Sequence, residues 1–148
     1  MSLRQIVVGG LVVLLSSATA GAASSPMADA AMKQNREAVR SLLRQKADVN
    51  APQVDGTTAL HWAVRLDDLD TADLLIRAGA KVSAANRDGA TPLQLAALNG
   101  NAAMIEKLVK AGVDPNAPLS ASGDTALMLA ARTGTTDAIR CSSKPART

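Results

Sequence analysis

Few side chains in this sequence could carry out covalent or acid–base chemistry. It holds one histidine, His61, and one cysteine, Cys141. General acid–base or nucleophilic catalysis needs a base held beside a nucleophile or a carboxylate. No spacing in the chain proposes such a partner for either residue. Cys141 lies between Arg140 and Lys144 in a stretch ending at Pro145. A free thiol is expected there, with an intermolecular disulfide as the alternative in an oxidising compartment. Asp67, Asp68, Asp70 and Asp73 form an acidic cluster. A calcium loop would alternate its oxygen ligands around a glycine, and this one does not. The cluster is better read as negative charge near a helix N-terminus, with a weak cation site as the alternative. Paired cysteines for zinc and a glycine-rich phosphate loop after a strand are both missing. No catalytic residue, metal or cofactor is expected, and the chain is not expected to be an enzyme.

The elements that must position any site are set by a repeat. Thr58-Ala59-Leu60-His61-Trp62-Ala63 returns as Thr91-Pro92-Leu93-Gln94-Leu95-Ala96 and as Thr125-Ala126-Leu127-Met128-Leu129-Ala130. The step from Thr58 to Thr91 is 33 positions, and from Thr91 to Thr125 it is 34. A second landmark, Leu42-Leu43, Leu75-Ile76 and Leu108-Val109, recurs at 33. A fixed period of this length means stacked copies of one supersecondary unit. Each unit reads as helix, short turn, helix, glycine stop and loop. Thr58, Thr91 and Thr125 suit the start of a first helix. Pro92 in the first turn removes an N–H that has no intrahelical partner. Leu60, Ala63 and Val64 fall on one helix face, as do Leu93, Ala96 and Ala97, and Leu127, Ala130 and Ala131. Ala72, Leu75 and Ile76, then Ile105, Leu108 and Val109, form the face of the second helices. Gly79 and Gly112 can end those helices in the left-handed conformation. Lys46 replaces that glycine in the first copy, which predicts a less tightly defined helix end. Asp55-Gly56 and Asp88-Gly89 mark tight turns between units.

With period and internal pattern in agreement, these units resemble ankyrin repeats, whose first helix carries T-P-L-H-x-A on a 33-residue period. Thr91-Pro92-Leu93-Gln94-Leu95-Ala96 matches it except for Gln94. The preceding copy keeps the histidine, His61, and replaces the proline. The resemblance implies an all-α solenoid of stacked helix-turn-helix units with hairpin-like loops. It also implies a structural role for His61, tying loop to helix by hydrogen bonds. Trp62 stands where other copies carry Leu95 and Leu129, which favours core packing with its N–H reaching an edge. An interface anchor is the alternative.

The ends of the chain depart from the pattern. Residues 1–20 read as a secretory signal peptide: Arg4, an apolar run from Ile6 to Leu15, and Ala18-Thr19-Ala20 as a small-residue cleavage site. A linker, 21–24, follows. Residues 25–140 form the repeat domain: a degenerate N-terminal cap (25–52), repeats at 53–85 and 86–118, and an incomplete C-terminal repeat (119–140) before a frayed tail (141–148). The cap has a helix from Arg36 to Gln45 with a charged outer face, as an end unit requires. The last unit begins well and fails after Ile139, where an apolar pair should stand, leaving an exposed apolar flank. A truncated or altered longer array would read this way.

Export follows from the leader: a periplasmic location in a Gram-negative bacterium, or otherwise secretion. The formal net charge of +3 comes from basic residues interspersed with acidic ones, and Trp62 is the sole aromatic residue. Nucleic acid is therefore not an expected partner, nor is stable membrane insertion once the leader is gone. Repeat stacks present extended surfaces to protein partners. The resemblance places such contacts at hairpin tips and on the exposed side of first helices. Here those positions are Val54, Asp55, Thr57, Arg65 and Leu66; Arg87, Asp88, Ala90, Leu98 and Asn99; and Ser122, Asp124, Arg132 and Thr133. The expected function is protein binding by a monomer. The alternative is an accessory subunit docking through its C-terminal flank.

Overall fold

Among the described residues, six short helices stand where the period places them. The computed structural model describes residues 25–118, 123–125, 128 and 131. Helices α1 (Pro26–Met32) and α2 (Arg36–Arg44) form the first unit, α3 (Ala59–Arg65) and α4 (Leu69–Arg77) the second, and α5 (Pro92–Asn99) and α6 (Ala102–Lys110) the third. Each is too short to persist alone, so capping and neighbours must hold it. Side-chain oxygens of Ser25, Asn35, Asp68, Thr91 and Asn101 each accept a backbone N–H one turn into the helix they precede. Pro26 and Pro92 occupy first-turn positions where no donor is lost.

Two layers result. The first helices stack side by side, α1 on α3 and α3 on α5, and the second helices α2, α4 and α6 form a layer behind them. Equivalent residues form buried columns between the layers: Met27, Leu60 and Leu93; Ala30, Ala63 and Ala96; Val39, Ala72 and Ile105. The alanines bring the first helices close together, and the large residues fill the space behind. Helices are the only regular elements among the described residues, apart from one isolated antiparallel bridge, Pro118 with Thr125. The loops before α3 and α5 close as hairpins, Gln53 N–H to the Thr57 carbonyl at 2.9 Å and Asn86 N–H to the Ala90 carbonyl at 3.0 Å.

Left-handed residues recur with the period. Between paired helices stand Gln34, Asp67 and Gly100; after the second helices stand Lys46, Gly79 and Gly112. The Lys46 expectation is corrected. At φ 56° it makes the same turn as its glycine counterparts, with Ala47 N–H reaching the Leu42 carbonyl at 3.0 Å, as Ala80 N–H reaches Leu75 at 2.9 Å. The helix end is as well defined. Lys46 instead carries a conformational cost of about 1–2 kcal/mol, which the stack around it sustains. The segment read from sequence as a signal peptide (1–20), the expected linker (21–24), most of the final unit (119–122, 126, 127, 129, 130 and 132–140) and the expected tail lie outside the described residues.

Candidate functional site

The candidate surface comprises the exposed side of α1, α3 and α5 together with the hairpin loops before α3 and α5, called here the inner surface. His61 shows how it is held. Its Nε2 lies 3.0 Å from the Ala90 carbonyl of the next loop. A carbonyl can only accept, so Nε2 carries the proton. Nδ1 is then left to accept the Thr58 backbone N–H at 3.2 Å and the Thr58 hydroxyl at 2.8 Å. The ring thus closes the start of α3 and ties unit two to the loop of unit three. Burial pushes its pKa below the ordinary value, against the pull of the Ala90 carbonyl. It is 1% exposed, and every ring nitrogen is committed to structure.

Trp62 is half-buried against the core. Its Nε1–H donates to Gln53 Oε1 at 2.8 Å, and Gln53 Nε2 donates to Asp29 at 2.6 Å. The Arg65 guanidinium lies over the indole, 5.5 Å from the ring centre. One chain of contacts thereby links α1, the first hairpin and α3. Trp62 packs on the core and its N–H finds a partner, as the core-packing reading expects.

The hairpins are locked differently. In the first, Asp55 accepts the Thr57 N–H (2.9 Å) and hydroxyl (2.7 Å). The Thr57 hydrogen bonds hold the Asp55 carboxyl below its usual range. In the second, Asn86 accepts the N–H groups of Asp88 (3.1 Å) and Ala90 (2.9 Å), which leaves the Asp88 carboxylate unspent. The loops also touch: Arg87 N–H donates to the Asp55 carbonyl at 2.9 Å. A Cβ on Gly56 would come within 3.2 Å of Asn86 Cα, at φ 81°.

Of the positions expected to face a partner, Val54 (59%), Leu98 (52%) and Leu66 (37%) are exposed apolar residues. Asp55, Arg65, Arg87, Asp88 and Asn99 are exposed as well. Thr57 is buried, and its hydroxyl is committed to Asp55. Ala90 is half-buried and offers its carbonyl to His61. Asn99 donates to the Val64 and Arg65 carbonyls at 3.0 and 3.2 Å, fastening α5 to the end of α3. Asp124 is half-buried; Ser122, Arg132 and Thr133 lie outside the described residues. Sequence reasoning missed Met32 and Lys33, which share the register of Arg65 and Leu66 and are exposed. Stepping that register back 33 positions finds them. It also missed the Asp29–Gln53–Trp62 chain, which the period does not signal.

The acidic cluster is consumed by neighbours. Asp68 starts α4 and meets Arg36 at 3.0 Å, and Asp67 accepts from Asn101 at 2.9 Å. Burial would raise the Asp68 pKa, but the Thr71 hydroxyl and N–H, with Arg36, bring it down on balance. Among the described residues no group of three or more His, Cys, Asp or Glu side chains could hold a metal ion. No helix there is long and apolar enough to cross a membrane.

A family model for ankyrin repeats, in three copies, matches residues 8–86 and 80–141. The chain belongs to the ankyrin repeat family. No curated protein matches it. Ankyrin repeats generally mediate protein–protein interaction. The layered helices, the hairpins and the histidine tie described above are the ankyrin architecture seen residue by residue.

Proposed function

We propose that this ankyrin repeat protein is a non-catalytic binding module that acts outside the cytoplasm, in the periplasm or after secretion. In this reading its partner protein lies on the hairpin tips and on the inner face of the first helices. One observation carries the binding mode: Val54, Leu66 and Leu98 are exposed apolar residues on the inner side, while ion pairs close the outer helices. The contact set is Val54, Asp55, Arg65, Leu66, Arg87, Asp88, Leu98 and Asn99, with Thr57 and Ala90 shaping the loops. Because hydrogen bonds already fix these loops, little ordering entropy is lost on binding. Export rests on the sequence of residues 1–20.

The test is capture from an extracytoplasmic extract with the wild-type chain and with Leu66→Asp and Leu98→Asp. Loss of the captured protein at an unchanged melting temperature supports the reading; undiminished capture by both variants removes it. A second reading has one observation in its favour. Met128, at the register position of His61, is 53% exposed, as a flank awaiting a neighbour would be. An accessory subunit docking there would lose its partner on addition of a full second helix after Ile139, and would be indifferent to Leu98→Asp.

A further inference from the structure

Charge is sorted between the two layers. On the outer helices every acidic side chain is matched. Arg36 meets Asp68 and Asp70 at 3.0 and 2.9 Å, and Arg40 meets Glu37 at 3.0 Å. Arg77 and Lys107 share Asp73 at 2.8 and 2.7 Å, and Lys110 meets Glu106 at 2.7 Å. The row at the ends of the first helices is different. Its register positions hold Met32, Lys33, Arg65, Leu66, Leu98 and Asn99. These are three apolar residues, two cations, one amide and no acid. Among the described residues, no carboxylate lies within ion-pairing distance of Lys33 or Arg65. Of the acids near this row, Asp29 accepts from Gln53, Asp55 from Thr57 and Asp67 from Asn101, and Asp88 at the second hairpin tip forms no ion pair with either cation.

Arg65 is also held in place. Its guanidinium rests over Trp62, whose ring is fixed through Gln53 to Asp29. The negative end of α3 does not compete for it, because the Asn99 amide covers the Val64 and Arg65 carbonyls. A planar guanidinium at cation–π distance over an indole, with no hydrogen bond to the described residues, suits a carboxylate received through two parallel bonds. Tryptophan and arginine are also the residue types that most often dominate binding energy at an interface. We propose that the partner is a protein segment that presents a carboxylate to Arg65 and Lys33, with apolar side chains beside it for Leu66, Leu98 and Met32. This rests on the inner-face reading above and names the chemistry of its occupant.

The experiment is selection of binders from a random peptide display library on the immobilised full chain, in parallel with the Lys33→Glu/Arg65→Glu double variant. Wild-type binders should be enriched several-fold in Asp and Glu next to Leu, Ile or Phe. Binding should weaken at least tenfold with added salt. The double variant should reject those peptides and enrich basic ones. Wild-type binders without acidic bias, displaced by Leu98→Asp, would overturn this inference and leave the inner-face reading standing. Binders indifferent to Leu98→Asp would overturn both. Melting curves of both variants confirm that the stack is intact, because neither exposed cation makes a structural ion pair.

Discussion

His61 stands third in α3 and Gln94 third in α5. Their helices start alike, with Thr58 and Thr91 both extended, yet the two side chains behave in opposite ways. His61 satisfies Thr58 and Ala90 at once. Gln94 leaves its Oε1 buried without a hydrogen-bond partner, although Thr91 starts its helix as Thr58 does. The imidazole places a donor and an acceptor on opposite sides of a rigid ring, so one residue can close its own helix and reach the next loop. A flexible amide in the same slot fills the volume and makes neither bond. Unit identity in this fold thus resides less in the apolar columns, which both units share, than in a few polar atoms that fasten one unit to the next.

That contrast can be probed in order of effect. Where the units are alike, in the core, Leu60→Ala and Leu93→Ala should each cost about 2–5 kcal/mol. A large inequality between them in urea unfolding would show that the columns are not equivalent. At the differing position, His61→Ala leaves the buried Thr58 N–H without its acceptor and removes one of the two donors to the Ala90 carbonyl, and should cost about 1–3 kcal/mol. Gln94→Ala should be close to neutral, because it removes an oxygen that already lacks a partner. Equal losses for the two would sink the comparison.

Acid should separate the units next. With its folded pKa below 6.5, His61 binds fewer protons in the native state than in the unfolded chain. Its contribution is therefore complete above about pH 6.5 and declines as the pH falls toward the folded value. Asp55, Asp68 and Asp73, all held below 3.8, add a further loss lower down, in the same direction. For Asp73 the Lys107 ion pair is the chief cause. Melting temperature against pH should fall in two stages, and His61→Gln should erase the upper one. If the variant keeps that stage, another group is responsible. The smallest effect is a gain: Gln94→His should stabilise the chain by about 1 kcal/mol, the worth of one restored hydrogen bond, read as a shift in the urea midpoint.

Much of the fold was legible in the sequence because burial repeats. Leu60 and Leu93, or Ala72 and Ile105, are forced into equivalent columns by stacking, so periodicity reports them. The exposed row at Leu66 and Leu98 followed from the same register. What stayed hidden depends on side chains that break the period. Gln53 is one carbon longer than Asn86 at the equivalent place, so it leaves the hairpin to Asp55 and reaches Trp62 and Asp29. Nothing in a spacing foretells that exchange. Thr57 looked like a free tip residue for the same reason; its burial comes from Asp55 taking over the lock. Lys46 looked like a weak stop because glycine is the usual left-handed residue, yet tertiary packing holds it in that conformation.

Among the described residues the side-chain hydrogen bonds between units join immediate neighbours: Asp29 to Gln53, Asn50 to Gly79, His61 to Ala90, Asn99 to Val64. None skips a unit. With contacts this local, the chain can begin folding at any adjacent pair and extend outward without first closing a long loop. Opening should run the other way, from the ends inward. The amide hydrogens of α3, clasped by α1 on one side and α5 on the other, should be the last to exchange with solvent.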